Sequence, residues 1–294
     1  MVAYNAHVYL VALRAVIAMA ELLNDAATAK AARSAFELGA AQLVKPTSEG
    51  GPLWNSSRNY FHAHSDNSTQ IFTDTLYGQM LSHHVFQNFT LPSTYLSSHL
   101  AYEWKRNADE FGMRVINDPI QEDSIWMNGP PTWTYLQLAL GELPAAAAWE
   151  PFKRMSENFR SRLRDMWNLR ALTHTDGTNK NPETTRPIEL GAPREQGHYG
   201  FMLTDLFLLP LLSGQTVDLG ATGVQLSFAP VYPPPYSLPL LVLGCEGTIS
   251  AATNGTVTVA VAFGRLQLHA GGLSVGGRLY AGPVKLEAGQ SVSW

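Results

Sequence analysis

Cysteine is almost missing from this sequence. One residue, Cys245, stands among 294, so no internal disulfide framework holds the chain and the redox compartment stays open. Charge is scarce as well, at 15% of residues with a net value of −4. No run of like charge marks a tail, and there is no basic footprint for nucleic acid or an anionic membrane. Long apolar runs are lacking too. The longest, Val8 to Leu23, is broken by Arg14 and Glu21, so it reads as a buried amphipathic helix and no transmembrane segment is expected. The N-terminus shows no ordered basic, apolar and small-residue regions, and so does not read as a secretory signal. No glycine-rich phosphate loop precedes a helix and no Gly-x-Ser-x-Gly elbow occurs, which leaves nucleotide binding and esterase chemistry without a foothold and no cofactor expected.

What is present points elsewhere. With 24 Gly, 18 Pro and seven Trp, the composition suits a loop-rich protein that handles something flat and polar, such as a sugar. A chain of this length forms one large domain or two smaller ones and buries roughly 75% of the surface its unfolded form exposes. Asn55, Asn67, Asn88 and Asn254 each open an Asn-x-Ser/Thr tripeptide.

Val8, Leu10, Val11, Leu13, Ile17, Leu22 and Leu23 fall at helical spacings, and an alanine-rich pattern repeats from Ala26 to Val44. The two segments read as an antiparallel helix pair, with Asp25 as N-cap and Lys45-Pro46 as the stop. A strand-like piece, Arg58 to His62, precedes predicted helices at Thr73–His84, Pro92–Asp109, Trp133–Gly141, Trp149–Leu172 and Tyr199–Leu212. The helix after Trp149 sets Phe152, Met155, Phe159, Leu163 and Trp167 opposite a basic stripe, which reads as a solvated face. Beyond Gly214, period-two alternation begins at Val224–Phe228 and recurs at Thr256–Phe263, Arg265–His269, Arg278–Tyr280 and Val284–Leu286, between glycine-rich turns. The expected division is a helical part, 1–213, and a β-rich module, 214–294.

Leu53-Trp-Asn-Ser-Ser-Arg-Asn-Tyr-Phe, followed by Thr73-Asp-Thr-Leu-Tyr-Gly-Gln79, resembles the catalytic region of glycoside hydrolase family 116, the non-lysosomal glucosylceramidases and β-glucosidases. That family carries a Trp-Asn-Gly-x-Tyr-Tyr strand and an Asp-Gln-x-x-Gly-Gln helix, so Ser56 and Thr75 are departures. The resemblance implies a mainly α fold: a partial (α/α)6 toroid with about half of its helices, followed by a small antiparallel β module. It further implies retaining hydrolysis of a β-glucoside or glucosylceramide, a reaction that needs two carboxyl groups roughly 5 Å apart. In the family both acids lie upstream of the helix that Tyr4–Leu23 matches. No catalytic residue is therefore carried over, and the chain alone is expected to be inactive.

What the resemblance does transfer is the wall of a sugar pocket. Glu122-Asp123-Ser124-Ile125-Trp126 matches an element in which a Glu binds glucose hydroxyls beside a Trp, with Ser124 at the Glu position. Gln196-Gly197-His198-Tyr199-Gly200-Phe201 matches an element reading Glu, then His-Tyr-x-Arg, with Ala192 at the Glu position and Phe201 at the Arg, and with Glu189 and Glu195 nearby. Trp126, Asp123, Glu122, Glu195, His198 and Tyr199 are the expected substrate-binding residues, since aromatic faces pack sugar C–H groups while charged acceptors take hydroxyls. The plainer reading of Trp126 is a buried core residue. His62-Ala-His64-Ser-Asp66 offers alternate ligands on a strand, but nothing completes a tetrahedral site, and no metal is expected. Asp74 reads as a helix cap or a supporting group. The expected partner is a small glycoside or glycolipid. Two alternatives stay open: a non-catalytic sugar-binding or scaffold protein that lost the acids, and an enzyme that uses Asp123 with Glu195.

Overall fold

The computed structural model describes residues 1–66, 69–117, 124–163, 172–178, 204–220, 223–242, 244–268, 272–280 and 283–294. The chain divides into two compact units, Met1–Thr204 and Asp205–Trp294.

The first unit opens on α1 (Ala3–Leu22) and α2 (Ala26–Val44), which pack against each other. Asp25 separates them and caps α2, its carboxylate accepting the Thr28 N–H at 3.0 Å. α1 is long and apolar enough to cross a membrane by length and composition, yet His7, Leu10, Ile17 and Ala20 are buried within the unit. Next come a short ladder of β1 (Trp54–Asn55) with β2 (Tyr60–Phe61), then α3 (Tyr77–Phe86) and α4 (Ser93–Asn107). A second ladder pairs β3 (Ala108–Asp109) with β4 (Gly112–Met113). A third pairs β5 (Ser124–Trp126) with β6 (Leu172–His174), and between these two strands run α5 (Gly129–Leu140) and α6 (Ala145–Glu157). α6 continues as a π-helical turn, Asn158–Leu163.

Helix α3 lies against α1 at a point where only glycine fits. A Cβ on Gly78 would stand 2.3 Å from the His7 carbonyl carbon and 2.6 Å from the Val8 nitrogen. Gly78→Ala must therefore push the two helices apart. The expected cost is about 1–3 kcal/mol, read as a lower urea midpoint with the slope of the transition unchanged.

The second unit begins with α7 (Thr204–Ser213) and is otherwise β structure. β9 (Tyr236–Val242), β10 (Cys245–Ala251), β11 (Val257–Leu268) and β14 (Val284–Glu287) form one sheet in the order β14-β11-β10-β9, with β15 (Ser291–Ser293) also paired to β11. The other sheet runs β13-β12-β8-β7 from β7 (Thr216–Gly220), β8 (Gly223–Phe228), β12 (Leu273–Val275) and β13 (Arg278–Tyr280). Leu226, Phe228, Leu273 and Val275 of the second sheet share one core with Leu240, Ile249, Val259 and Leu266 of the first.

β11 changes phase along its length. Val257, Val259 and Val261 face the core, whereas further on it is Leu266 and Leu268. The register against β10 slips at Glu246/Gly247, and Gly264 takes a φ of +78°, so a bulge resets which side chains point inward. The sequence pattern predicts two strands here because an alternation that changes phase reads as a break.

The mainly α expectation, a partial toroid carrying one small β module, does not hold. Seven α-helices stand beside fifteen strands in five sheets among the described residues. Three of those sheets are two-stranded ladders inside the helical unit, interrupting the succession of helices between α2 and α3 and between α4 and α5. Strands of two or three residues are too short to show an alternation, which is why a periodicity reading passes over them. In the second unit, Gly247 inside β10 and Pro239 inside β9 hide two longer strands in the same way.

Candidate functional site

Between β2 and α3 the chain folds into a tight turn. The N–H and the hydroxyl of Thr75 both donate to the Phe72 carbonyl, at 3.1 and 2.6 Å. The turn delivers Asp74 into the interior, where it is 1% exposed. There its carboxylate accepts from Asn128 Nδ2 at 2.5 Å, Thr132 Oγ1 at 2.9 Å and Trp126 Nε1 at 3.5 Å. Asn128 is the N-cap of α5 but leaves the helix's own amides uncapped, so Asp74 serves that end from another segment, where a carboxylate complements the helix dipole. Gly129 is required by the same closeness, because a Cβ there would meet Thr73 Cγ2 at 2.3 Å. Thr73 is itself held, donating to the Arg114 carbonyl and accepting from Asn107 Nδ2 at 2.7 Å.

Trp126 is thus fixed by its polar edge while its ring stays half-exposed. The ring packs on Phe72 at 6.4 Å and over Ala63, Val115 and Ile116. Phe72 meets Tyr4 edge-on at 6.2 Å, and Tyr4 stacks on Tyr77 at 5.7 Å. Four partly exposed rings from α1, α3, β5 and the turn therefore form a row that begins over a buried carboxylate.

Burial pushes the Asp74 carboxyl up to about 6, against the downward pull of Asn128, Thr132 and Trp126. Glu103, fully buried on α4, is raised well above the usual range, first by desolvation and then by the charge of Asp74. Beside it on the same helix is His99, whose Nδ1 accepts the Phe61 N–H at 3.1 Å. That bond puts the ring proton on Nε2, which approaches Glu103 Oε2 to 3.5 Å, an ion-pair distance without hydrogen-bond geometry. His7 is held in the same way. Thr90 N–H donates to Gln79 Oε1 at 3.0 Å, so Gln79 Nε2 is the donor that meets His7 Nδ1 at 3.0 Å. Burial lowers both imidazoles to about 3.

Of the residues expected to bind sugar, Trp126 lies at this site. Glu122 and Asp123 fall within 118–123, and Glu195, His198 and Tyr199 within 179–203, outside the described residues, as do Glu189, Ala192 and Phe201. Ser124 is buried at 2% and pairs across the ladder with His174. Of the three possible ligands, His62 is drawn into contacts with Tyr60 Oη at 3.2 Å and Asn55 Nδ2 at 3.4 Å, while His64 forms a backbone bridge to Val2. The role of Asp74 in holding Trp126 and the ring row of Tyr4, Phe72 and Tyr77 are both additions from the structure. No regular spacing links positions 4, 72, 77 and 126, so no local signal could have found the row.

The sequence matches no family model and no curated protein. A solved structure of a protein named "Sialidase" is similar to this chain, with a TM-score of 0.59 over 88% of it at 13% identity. The chain spans 25% of the length of that protein. The likeness is one of fold and does not single out family 116.

Proposed function

We propose that the helical unit is a sugar-binding part of a glycoside hydrolase-like protein that takes neutral β-glucosides, with Trp126 as the stacking surface. A half-exposed indole locked through its N–H to a buried carboxylate carries this reading. Such a ring offers a pre-oriented apolar face, and little side-chain freedom remains to be lost on binding. The name of the solved relative points to acidic sugars, whose carboxylate calls for a guanidinium fork. Among the described residues the charge around Trp126 is carboxylate, and Arg114, whose backbone joins the site, turns its guanidinium to Asp109 at 3.1 Å. That favours an uncharged ring.

The same geometry argues against Asp74 as a nucleophile, since its oxygens already serve three donors. Purified 1–294 is expected to bind an aryl β-glucoside without turning it over, and measurable release of the aryl alcohol overturns that expectation. Calorimetric titration with the glucoside tests the binding. Trp126→Ala is expected to weaken it about tenfold, the scale of one aromatic contact. Equal affinity in the variant, or tighter binding of sialic acid than of the glucoside, defeats the proposal. A second reading, a non-catalytic sugar-binding or scaffold protein, is favoured by Ser124, Ala192 and Phe201 standing where the family it resembles has Glu, Glu and Arg.

A further inference from the structure

We infer that Asn254 is an acceptor site for an N-linked oligosaccharide, presented at the tip of the β10–β11 hairpin. Four Asn-x-Ser/Thr tripeptides occur, and geometry separates the three that fall among the described residues. Asn55 is committed to the fold: its Oδ1 accepts from Ser57 Oγ at 2.8 Å and from the Arg58 N–H at 3.1 Å, and its Nδ2 faces the buried His62. A sugar on that nitrogen would have to displace the contact with His62. At Asn88 it is the hydroxyl two residues on that is taken. Thr90 Oγ1 accepts from the buried Gln79 at 2.6 Å and the Thr90 N–H donates back to it at 3.0 Å, while the Asn88 carbonyl holds Arg14.

Asn254 differs on each point. The side chain is exposed, and Gly255 beside it takes a φ of +84° with nothing within 4 Å of where a Cβ would stand. Two backbone bonds, Ala252 N–H to Thr256 O at 2.9 Å and Gly255 N–H to Ala252 O at 3.0 Å, keep the turn closed without using the Asn254 amide nitrogen. The Thr256 N–H donates to Asn254 Oδ1 at 3.0 Å, while Asn254 Nδ2 and the Thr256 hydroxyl make no bond among the described residues. Both groups that define the acceptor are therefore presented together on a hydrogen-bonded turn whose Asn254 is exposed. The donor is an oligosaccharide linked through pyrophosphate to a polyprenyl lipid. Asn254 Nδ2 bonds to its anomeric carbon, the C–O bond to pyrophosphate breaks with its electron pair leaving on the lipid pyrophosphate, and the amide proton passes to a base of the transferase.

The test is secretion of the full chain, behind a cleavable leader, from a eukaryotic host, followed by digestion with a peptide N-glycosidase and by peptide mass mapping. With Asn67 replaced by Gln throughout, to remove the tripeptide outside the described residues, the parent protein is expected to carry a glycan on Asn254 and to lose one electrophoretic step on digestion. N254Q and T256A lack that step, T256S keeps it, and N55Q and N88Q leave it in place. An unmodified Asn254 peptide in the secreted parent, or an N254Q pattern identical to that of the parent, overturns the assignment. Because T256S and T256A both lack the threonine methyl and differ from each other only by the hydroxyl, which makes no bond among the described residues, a difference between them is not a folding effect.

Discussion

Asp74→Ala is expected to destabilise the helical unit by about 3–5 kcal/mol and to silence the glucoside titration. Removing the carboxylate leaves Asn128 Nδ2 and Thr132 Oγ1 as buried donors with no acceptor, and each such group costs about 1–3 kcal/mol. The amino end of α5 loses the negative charge that complements its dipole, and the Trp126 indole loses its tether. Asp74→Asn is the informative companion. It keeps the volume and one acceptor oxygen, and Thr132 can turn its hydroxyl to accept from the new amide, so the expected loss is only about 1–2 kcal/mol. Tryptophan fluorescence in urea reports the effect well, because six of the seven tryptophans lie in the first unit and only Trp294 in the second. An Asp74→Ala protein that unfolds at the parental midpoint would show that the three hydrogen bonds carry no weight, and the site with them.

Legibility differs between elements for identifiable reasons. α1 and α2 are readable because their apolar spacing is uninterrupted and Asp25 supplies the expected cap. α5 begins at Gly129, ahead of the predicted Trp133, because Pro130 and Pro131 read as breakers although the first turn of a helix tolerates proline. α3 begins at Tyr77 rather than Thr73, since Thr75 spends its N–H and hydroxyl on Phe72 and closes a turn instead of a helix. In the second unit, β8, β13 and β14 coincide with segments read as strands, whereas Pro239 and Gly247 hide β9 and β10, and β7, β12 and β15 alternate over only three to five residues, too few to stand out. At the site, the resemblance points to Trp126 and the residue pattern gives Asp74 as a cap or support. Their meeting is not legible, because it depends on β5 and the turn after β2 being brought together by packing.

The second large effect is a flat-topped dependence of stability on pH, set by four buried groups of opposing sign. His7 and His99 are lowered to about 3 from an unfolded value of about 6.5, so between those pH values the unfolded chain binds more protons and stability rises with pH. His83 and His84, half-buried and also lowered by desolvation, push weakly in the same direction. Asp74, raised to about 6, and Glu103, raised well above its usual range, do the reverse: above about pH 4 the unfolded carboxylates release protons that the native ones retain, and stability falls as pH rises. Below about pH 4, of these four groups only the imidazoles contribute, giving a steep acid limb of about 2–3 kcal/mol per pH unit. From about 4.5 upward the carboxyls offset the imidazoles for as long as they stay protonated, Asp74 to about 6, and the profile flattens. Beyond the titration of Asp74 and the imidazoles, the proton that burial keeps on Glu103 makes stability fall with rising pH until that carboxyl ionises. Glu103→Gln keeps the shape beside His99 but cannot titrate. In that variant the alkaline limb is expected to vanish, and the plateau becomes a rise through the same window because only Asp74 still opposes the imidazoles. Urea midpoints of both proteins from pH 3 to pH 8 decide the matter, and two superimposable profiles would mean that Glu103 titrates alike in the native and the unfolded protein and that its burial does not hold a proton on it.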